Sequence, residues 1–417
     1  MERGLAARDD TTLEMIPTYI ETQTDVPTDK KVVVMDAGGT NFRVAVVHFN
    51  KDKKPVIENP KLYSMPGVKK EVGKEEFFET MAGYVIDIAD KSSNIGFCFS
   101  YPTEISPNKD GRLIRFSKEI KAREVRGQMI GENLNAALAS MGYKDRKHVV
   151  VLNDTVTTLL AGRAASFDRT FDSFIGFILG TGTNCAYIES NKNIIKKPGL
   201  DPAGSQIINI ESGGFGKAPL GTIDKQFDQS TKNPGEHTFE KMISGAYLGP
   251  LSLMTIKEVI KQEFSQNQPK EVLLSTGSCS KLDSIPELTT KDISDFLQNP
   301  LEGNNPLSPV LANRHDDPAD SDLVTLHDLI RAIVERAAKL TAINLSSAAI
   351  KSGKGRDPNR PVCIVAEGTT FYKLHNLKSL VEHYLDQYLK EQKGIHYEII
   401  SVENATLIGA AIAGLTN

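Results

Sequence analysis

Two short stretches carry residue types that can handle a phosphate. They are Asp36-Ala-Gly-Gly-Thr-Asn-Phe-Arg43 and Gly180-Thr-Gly-Thr-Asn184. Consecutive small residues let backbone N–H groups approach an anion closely. Gly38, Gly39 and Asn41 shape the first turn, Thr40 adds a hydroxyl, and Arg43 adds a fork of donors. Asp36, at the end of an apolar run, is placed to orient a hydrated cation. Gly180, Thr181, Gly182 and Thr183 repeat the same logic. An ordinary hairpin also uses glycine, so either turn alone says little. Two such turns would be accounted for by a nucleotide gripped from both sides. Neither is GxxxxGK[ST], and neither is GxGxxG after a strand, so the P-loop and Rossmann readings fail. Asn153-Asp154-Thr155 follows an apolar strand and opens a helical pattern. A carboxylate there is favoured by the helix dipole. Asp154 reads either as a plain helix cap or as a general base at a strand end, where open α/β sheets place ligands. Glu211 and Glu240, each beside a Gly-rich or apolar stretch, read singly as surface charges. Ser117-Lys118 and the Ser100-Tyr-Pro102 turn are equally plain on their own. His237 and His375 have no partner spacing for a metal or a triad, and no Gly-x-Ser-x-Gly elbow occurs.

These residues need elements to hold them. Lys31–Met35 reads as a buried strand, Asp36–Asn41 as a turn, and Phe42–Phe49 as the returning strand. Further strands are expected at Asn94–Phe99, His148–Leu152, Phe174–Leu179, Cys185–Glu189, Ile207–Ile210, Val362–Ala366 and Tyr397–Val402. Helical periodicity covers Glu75–Asp90, Met129–Met141, Thr155–Ala165 (capped by Asp154-Thr155), Thr238–Ile260, Leu326–Lys351, Lys378–Lys390 and Thr406–Leu415. Gly221–Pro234 and Asn304–Asp322 read as loops. Alternating strands and helices predict an α/β protein with parallel or mixed sheets. The paired turns, Gly38–Asn41 and Thr181–Asn184, suggest two similarly built domains that each offer one turn to a shared cleft.

The chain has 417 residues, which by the usual domain size allows about two to three domains. Its 49 basic and 53 acidic residues give a net charge of -4. With no basic excess to neutralise phosphates along a duplex, nucleic-acid binding is not expected. No apolar run approaches the length of a membrane span, and the start has no apolar signal region, so no membrane role is expected. The four cysteines, Cys98, Cys185, Cys279 and Cys363, form no CxxC pair. Structural zinc and a disulfide framework are both disfavoured, and a reducing cytoplasm is the expected location.

Taken in order, the pieces resemble the hexokinase family, in its eukaryotic-type hexokinase and glucokinase branch. The resemblance rests on the Asp36–Arg43 turn, Phe99-Ser-Tyr-Pro102, Ser117-Lys118, Asn153-Asp-Thr155 and Gly180–Asn184. It continues through Asn209-Ile-Glu-Ser-Gly-Gly-Phe-Gly216, Pro234-Gly-Glu-His-Thr-Phe-Glu-Lys241 and Glu367-Gly-Thr-Thr-Phe-Tyr-Lys-Leu-His375. It runs from about Met15 to the last residue, and the Cys/His zinc motif of repressor-type sugar kinases is missing. The resemblance implies an α/β fold of two actin-like (ribonuclease H-like) domains with a ligand cleft between them. Residues 27–152 with 405–417 would form the small domain, and 1–26 with 153–404 the large one. It implies transfer of the γ-phosphoryl of Mg-ATP to the 6-hydroxyl of a hexose, glucose first, giving a hexose 6-phosphate for glycolysis, with cleft closure on sugar binding.

By similarity, Asp154 is the catalytic base, and Lys118 and Arg43 assist catalysis. Asp36 orients Mg2+ through water. Ser100, Pro102, Ser117, Lys118, Asn153, Asp154, Asn184, Glu211 and Glu240 would contact the sugar. The nucleotide would lie on Gly38–Asn41, Gly180–Thr183, Gly368 and Thr369. Departures from the family pattern are Ser117 for Thr, His237 for Gln near the sugar, Ala246 for a larger residue, and Asn404-Ala-Thr-Leu-Ile408 for an acidic Gly-Ser-Gly loop. The last two touch the nucleotide side and motivate an alternative, a catalytically weak sugar sensor of the same fold. A kinase for another hexose or an amino sugar is a further alternative. A monomer or homodimer is expected.

Overall fold

The computed structural model describes the whole chain except residues 7–9, 23, 117–119, 165–168, 266–273, 275, 302–304 and 312–320. In chain order the strands among the described residues are β1 (Ile16–Pro17), β2 (Val32–Gly38), β3 (Asn41–Phe49), β4 (Pro55–Ser64), β5 (Asn94–Phe99), β6 (Thr103–Ile105), β7 (Gly111–Leu113), β8 (His148–Leu152), β9 (Ser173–Leu179), β10 (Thr183–Ser190), β11 (Ser205–Asn209), β12 (Val362–Glu367) and β13 (Tyr397–Ile400). They form a five-stranded sheet in the order β4-β3-β2-β5-β8, a six-stranded sheet in the order β1-β11-β10-β9-β12-β13, and the β6–β7 hairpin. The two large sheets are built alike. In each, three antiparallel strands (β4, β3, β2 or β11, β10, β9) adjoin two parallel ones (β5, β8 or β12, β13). The two Thr-Asn turns, β2–β3 and β9–β10, therefore occupy equivalent places in two copies of one architecture.

Both fifth strands are followed by a helix, Asp154–Ala164 after β8 and Ala405–Thr416 after β13. The helices exchange partners. The first packs on β9 and β12 of the six-stranded sheet, the last on β2 and β5 of the five-stranded sheet, and the two lie against each other. Small residues allow the approach. A Cβ on Gly176 of β9 would lie 2.1 Å from the Thr155 carbonyl oxygen, and one on Gly96 of β5 would lie 1.9 Å from that of Ala410. The apolar core between the sheets joins Val34 and Val47, Leu159 and Leu160, Ile207 and Ile412, all buried. The two helices thus carry their first turns to one place, beside the carboxyl ends of the central strands.

Several expected elements differ. Asp36 and Gly38 lie inside β2, and the first turn shrinks to Gly39 and Thr40. Gly39, at φ +65, makes it possible. The single helix expected over Thr238–Ile260 is two, Thr238–Ile243 and Leu248–Ser265. Between them Gly245 and Ala246 donate backbone N–H groups to the carbonyls of Gly180 and Thr181, so tertiary hydrogen bonds outweigh helical periodicity. The loop expected at Gly221–Pro234 holds a helix, Thr222–Ser230. Its Asp224 accepts from Gly221 N (2.8 Å) and from both terminal nitrogens of Arg336 (2.8 and 2.9 Å). In the other expected loop, Ser308–Leu311 is helical and 312–320 lie outside the described residues. Asn153 sits in the cap position of the Asp154–Ala164 helix, ahead of Asp154.

Among the described residues no helix is long and apolar enough to cross a membrane. All four cysteines are free thiols and buried. Burial raises Cys98 and Cys185 well above the ordinary thiol range and Cys363 to about 12. A native sample treated with Ellman's reagent is therefore expected to react on average at fewer than one thiol within minutes, and at all four once denatured. Prompt reaction of two or more in the native state would contradict this burial.

Candidate functional site

The floor of the site is the start of the Asp154–Ala164 helix. Valines of β8 carry the chain through the core and deliver Asn153 and Asp154 at the strand's end. Asn153 Oδ1 and Asp154 Oδ1 both accept from Thr155 N, each at 2.9 Å. The Thr157 hydroxyl donates to the Asp154 carbonyl at 2.6 Å. Asp154 is thus held at the first turn by a doubly satisfied backbone, with its side chain half-buried.

On one side of Asp154 runs a chain of amides and carboxylates. Asn184 Oδ1 accepts from Cys185 N (2.7 Å) and Ser212 N (3.3 Å). Asn184 Nδ2 donates to Asn209 Oδ1 at 2.7 Å and to Asn153 Oδ1 at 3.4 Å. Asn209 Nδ2 donates to Glu211 Oε1 at 2.8 Å. Burial raises the Glu211 carboxyl to about 7, while the Asn209 donor pulls it down and the charges of Glu14 and Asp154 push it up. Glu211 stands in the left-handed region, at φ +55. Glu240 Oε2 accepts from Thr183 N at 2.9 Å, and a Cβ on Gly182 would meet that same oxygen at 2.6 Å, so a larger residue there would displace the carboxylate. The Ser212–Gly214 turn brings Glu240 alongside the Glu211 segment, because a Cβ on Gly213 would lie 3.2 Å from Glu240 Cβ.

On the other side lies a group of charges. Asp36 is buried; its Oδ2 accepts from Arg43 Nε (2.9 Å), from Arg43 Nη2 and from the Thr406 hydroxyl (2.9 Å). That hydroxyl in turn accepts from Arg43 Nη2 at 2.7 Å. Thr406 opens the Ala405–Thr416 helix, the counterpart of the helix that Asp154 opens. A cavity of about 560 Å³ is lined by Asp36, Arg43 and Thr406 and by Ser100, Asp154 and Glu367. Ser100 N and the Tyr101 hydroxyl donate to the Ala37 and Gly39 carbonyls (both 3.0 Å), pinning the Ser-Tyr-Pro turn to β2. The Pro102 carbonyl accepts from Ile114 N at 2.9 Å.

The second turn is packed from behind. The Gly180 carbonyl accepts from Gly245 N (2.8 Å) and the Thr370 hydroxyl (2.9 Å). Gly368, at φ +115, would carry a Cβ 2.3 Å from the Leu179 carbonyl. Thr183 does not face the cleft: it is buried, and its hydroxyl donates to the Ile178 carbonyl at 3.0 Å. Thr181 and Thr369 are the exposed hydroxyls of this region. Ser117 and Lys118 lie outside the described residues. Residue type and spacing do not mark Asn209 or Thr406 as site residues. Asn209 stands two residues before Glu211 in the quoted Asn-Ile-Glu motif. Thr406 lies in Asn404–Ile408, where the chain departs from the family pattern.

Among the described residues no group of three or more His, Cys, Asp or Glu side chains is placed to hold a metal. The Asp36 oxygen Oδ1 accepts no hydrogen bond among these residues and lies 3.7 Å from where a Gly38 Cβ would stand. A single carboxylate with one open oxygen suits Mg2+, which keeps its waters and is held by one or two carboxylates together with substrate phosphates.

A family model described as hexokinase matches residues 174–416, and a second hexokinase model matches residues 1–164. Hexokinase-2 of Equus caballus is 30% identical over 391 residues, covering 89% of this chain and 41% of that protein. Hexokinase-5 of Oryza sativa subsp. japonica is 30% identical over 441 residues, covering 99% and 83%. The chain thus spans about two fifths of the length of the equine relative. The structure of a hexokinase from Schistosoma mansoni complexed with glucose superposes with a TM-score of 0.76 at 24% identity, covering 100% of this chain and 92% of that one, a likeness of fold. Two paired sheets, two Thr-Asn turns at equivalent places and family matches over both halves agree: the chain belongs to the hexokinase family.

Proposed function

We propose that the chain transfers the γ-phosphoryl group of ATP to the 6-hydroxyl of a hexose, with glucose as first choice. The observation that carries this reading is the single cavity in which Asp154 faces the Asp36–Arg43–Thr406 group, with the Asn153–Asn184–Asn209–Glu211 chain adjoining. A sugar hydroxyl is too weak an acid to ionise near neutrality. Asp154 would take its proton as the oxygen attacks, an effect typically worth about 10²–10⁴-fold in rate. Asn153, Asn184, Glu211 and Glu240 would bind the remaining hydroxyls, together with Ser117 and Lys118. Sites built to pair every hydroxyl reject analogues that lack one. Arg43, Thr40, Thr181 and the backbone N–H groups of Gly38–Asn41 would position the phosphates. Asp36 would hold a hydrated Mg2+ at its open oxygen, and that ion, when bound, neutralises charge on the transferring phosphoryl.

Phosphoryl transfer is mostly positioning and electrostatics, so closure that excludes water limits loss of ATP to hydrolysis. The halves that would close are residues 27–152 with 405–417 against 1–26 with 153–404. In a cytoplasmic setting the product would feed glycolysis.

The test is ADP release with Mg-ATP against glucose, mannose, fructose, glucosamine, N-acetylglucosamine and no sugar. Turnover with glucose well above the no-sugar rate is expected. Turnover only with another sugar would replace the substrate. Glucose binding without turnover would favour the sensor, and neither binding nor turnover would overturn the sugar reading.

A further inference from the structure

We propose that Asn209, on β11, is the positioning residue that presents Glu211 to the substrate as an ionised carboxylate with one defined free oxygen. The proposal rests on the sugar-kinase reading for what Glu211 binds.

The direction of every hydrogen bond in this chain follows from the backbone. The N–H groups of Cys185 and Ser212 can only donate, so the Asn184 side-chain oxygen must face them. The Asn184 amide nitrogen is then turned to Asn209, which must receive it through its own oxygen. That leaves the Asn209 amide nitrogen to donate, and Glu211 Oε1 to accept. A proton on Glu211 is thereby directed to Oε2, and the donor at Oε1 favours the ionised form. Asn209 is only 5% exposed, and its backbone is paired on both sides, with Ala186 on β10 and Ile16 on β1. The side chain therefore cannot turn away. The effect on the neighbour is opposed by burial and by like charge. Glu14 from the segment before β1 and Asp154 from the adjoining helix both disfavour a charge on Glu211, and Arg115, beyond β7, favours it. Asn209 bridges a strand residue, Asn184, and a residue beyond the next strand's end, Glu211, so one amide sets the geometry of two sugar contacts at once.

Two near-isosteric substitutions test this. In Asn209→Leu the donor is gone, and Glu211 should hold its proton to higher pH. In Asn209→Asp the introduced carboxyl shares one proton with Glu211. While that proton is present the new group donates to Glu211 as the amide did. Once it is lost, two carboxylates repel. Glucose is the probe, measured by calorimetry from pH 6 to pH 9. For the unsubstituted chain the glucose Kd is expected to rise as pH falls through about 7, where Glu211 takes up its proton. For Asn209→Asp the trend reverses: its Kd relative to the unsubstituted chain should climb about tenfold or more from pH 6 to pH 9. A Kd ratio that stays constant across pH is what a purely structural role gives, and it would overturn the proposal. A second readout needs no sugar. The side-chain carboxyl ¹³C titration of Glu211, assigned through Glu211→Gln, should move to higher pH in Asn209→Leu and become biphasic in Asn209→Asp. An unchanged titration in both would overturn the proposal. If glucose binds no form of the protein, the substrate reading falls, and the carbon titration alone still decides the role of Asn209.

Discussion

Asp154→Ala is expected to lower kcat by about 10²–10⁴-fold while the protein stays folded and still binds sugar. The rate follows from the loss of a carboxylate that opens a helix beside both the Asp36 group and the Asn153–Asn184 chain. The retained fold follows from the local hydrogen bonds. Thr155 N is shared between Asn153 Oδ1 and Asp154 Oδ1, so the helix keeps its cap when Asp154 is truncated. Removing a sole cap typically costs about 1 kcal/mol, and a duplicated one costs less. Asp154→Asn is the closer isostere and should show the same loss of kcat. Steady-state kinetics together with thermal unfolding would separate the two effects. A variant with unchanged kcat and unchanged Tm would remove Asp154 from the role of base.

Gly409→Ala is expected to cost about 1–3 kcal/mol of stability or more, lower Tm by at least about 3 °C, and reduce activity beyond the loss of folded protein. A Cβ at this position would stand 1.9 Å from the Thr157 carbonyl oxygen and 2.5 Å from its carbon. Both are backbone atoms inside a helix, so no side chain can yield. The helices Asp154–Ala164 and Ala405–Thr416 would have to separate, and each carries a site residue on its first turn, Asp154 and Thr406. Because Thr406 bonds both Asp36 and Arg43, the displacement reaches the charged group directly. Gly83→Ala is the control. It lies exposed within the Lys74–Val85 helix, and its Cβ would meet only Met141 Cε at 3.9 Å, so helix propensity should make it stabilising by up to about 1 kcal/mol. Circular dichroism melts of both variants beside kcat would check the pair. An unchanged Tm for Gly409→Ala would mean that the two helices can part without loss.

Much of the candidate site was legible in the primary structure because its chemistry is concentrated in short segments. Backbone N–H groups near phosphate demand consecutive glycines, and a carboxylate at a strand end demands a polar residue directly after an apolar run. Both leave marks within a few residues, at Gly38–Asn41, Gly180–Asn184 and Asn153-Asp154. Buried strands such as Val32–Gly38 and His148–Leu152 are legible for the same reason, since both faces are covered and the residues read as continuous apolar runs. The edge strand Pro55–Ser64 carries Pro, Lys and Glu on a half-exposed surface, so no apolar pattern marks it.

The sequence by itself determined the α/β class, the repeated turn and the family resemblance, and it named Asp36, Arg43, Ser100 and Asp154, which the cavity brings together. Only the tertiary structure decided which groups act together. The Asp36 carboxylate meets Thr406 across 370 positions, and Asn184 meets Asn209 across 25, through sheet pairing and helix exchange that no local window contains. The helical pattern over Thr238–Ile260 was broken at Gly245 and Ala246 because two backbone donors gained partners on the second turn. The Thr222–Ser230 helix forms in a polar stretch because Asp224 is anchored by Arg336, over a hundred positions away. Periodicity reports which face of an element is apolar. It carries no information on the distant donor or acceptor that will satisfy a buried polar group, and in this chain that satisfaction assembles the site.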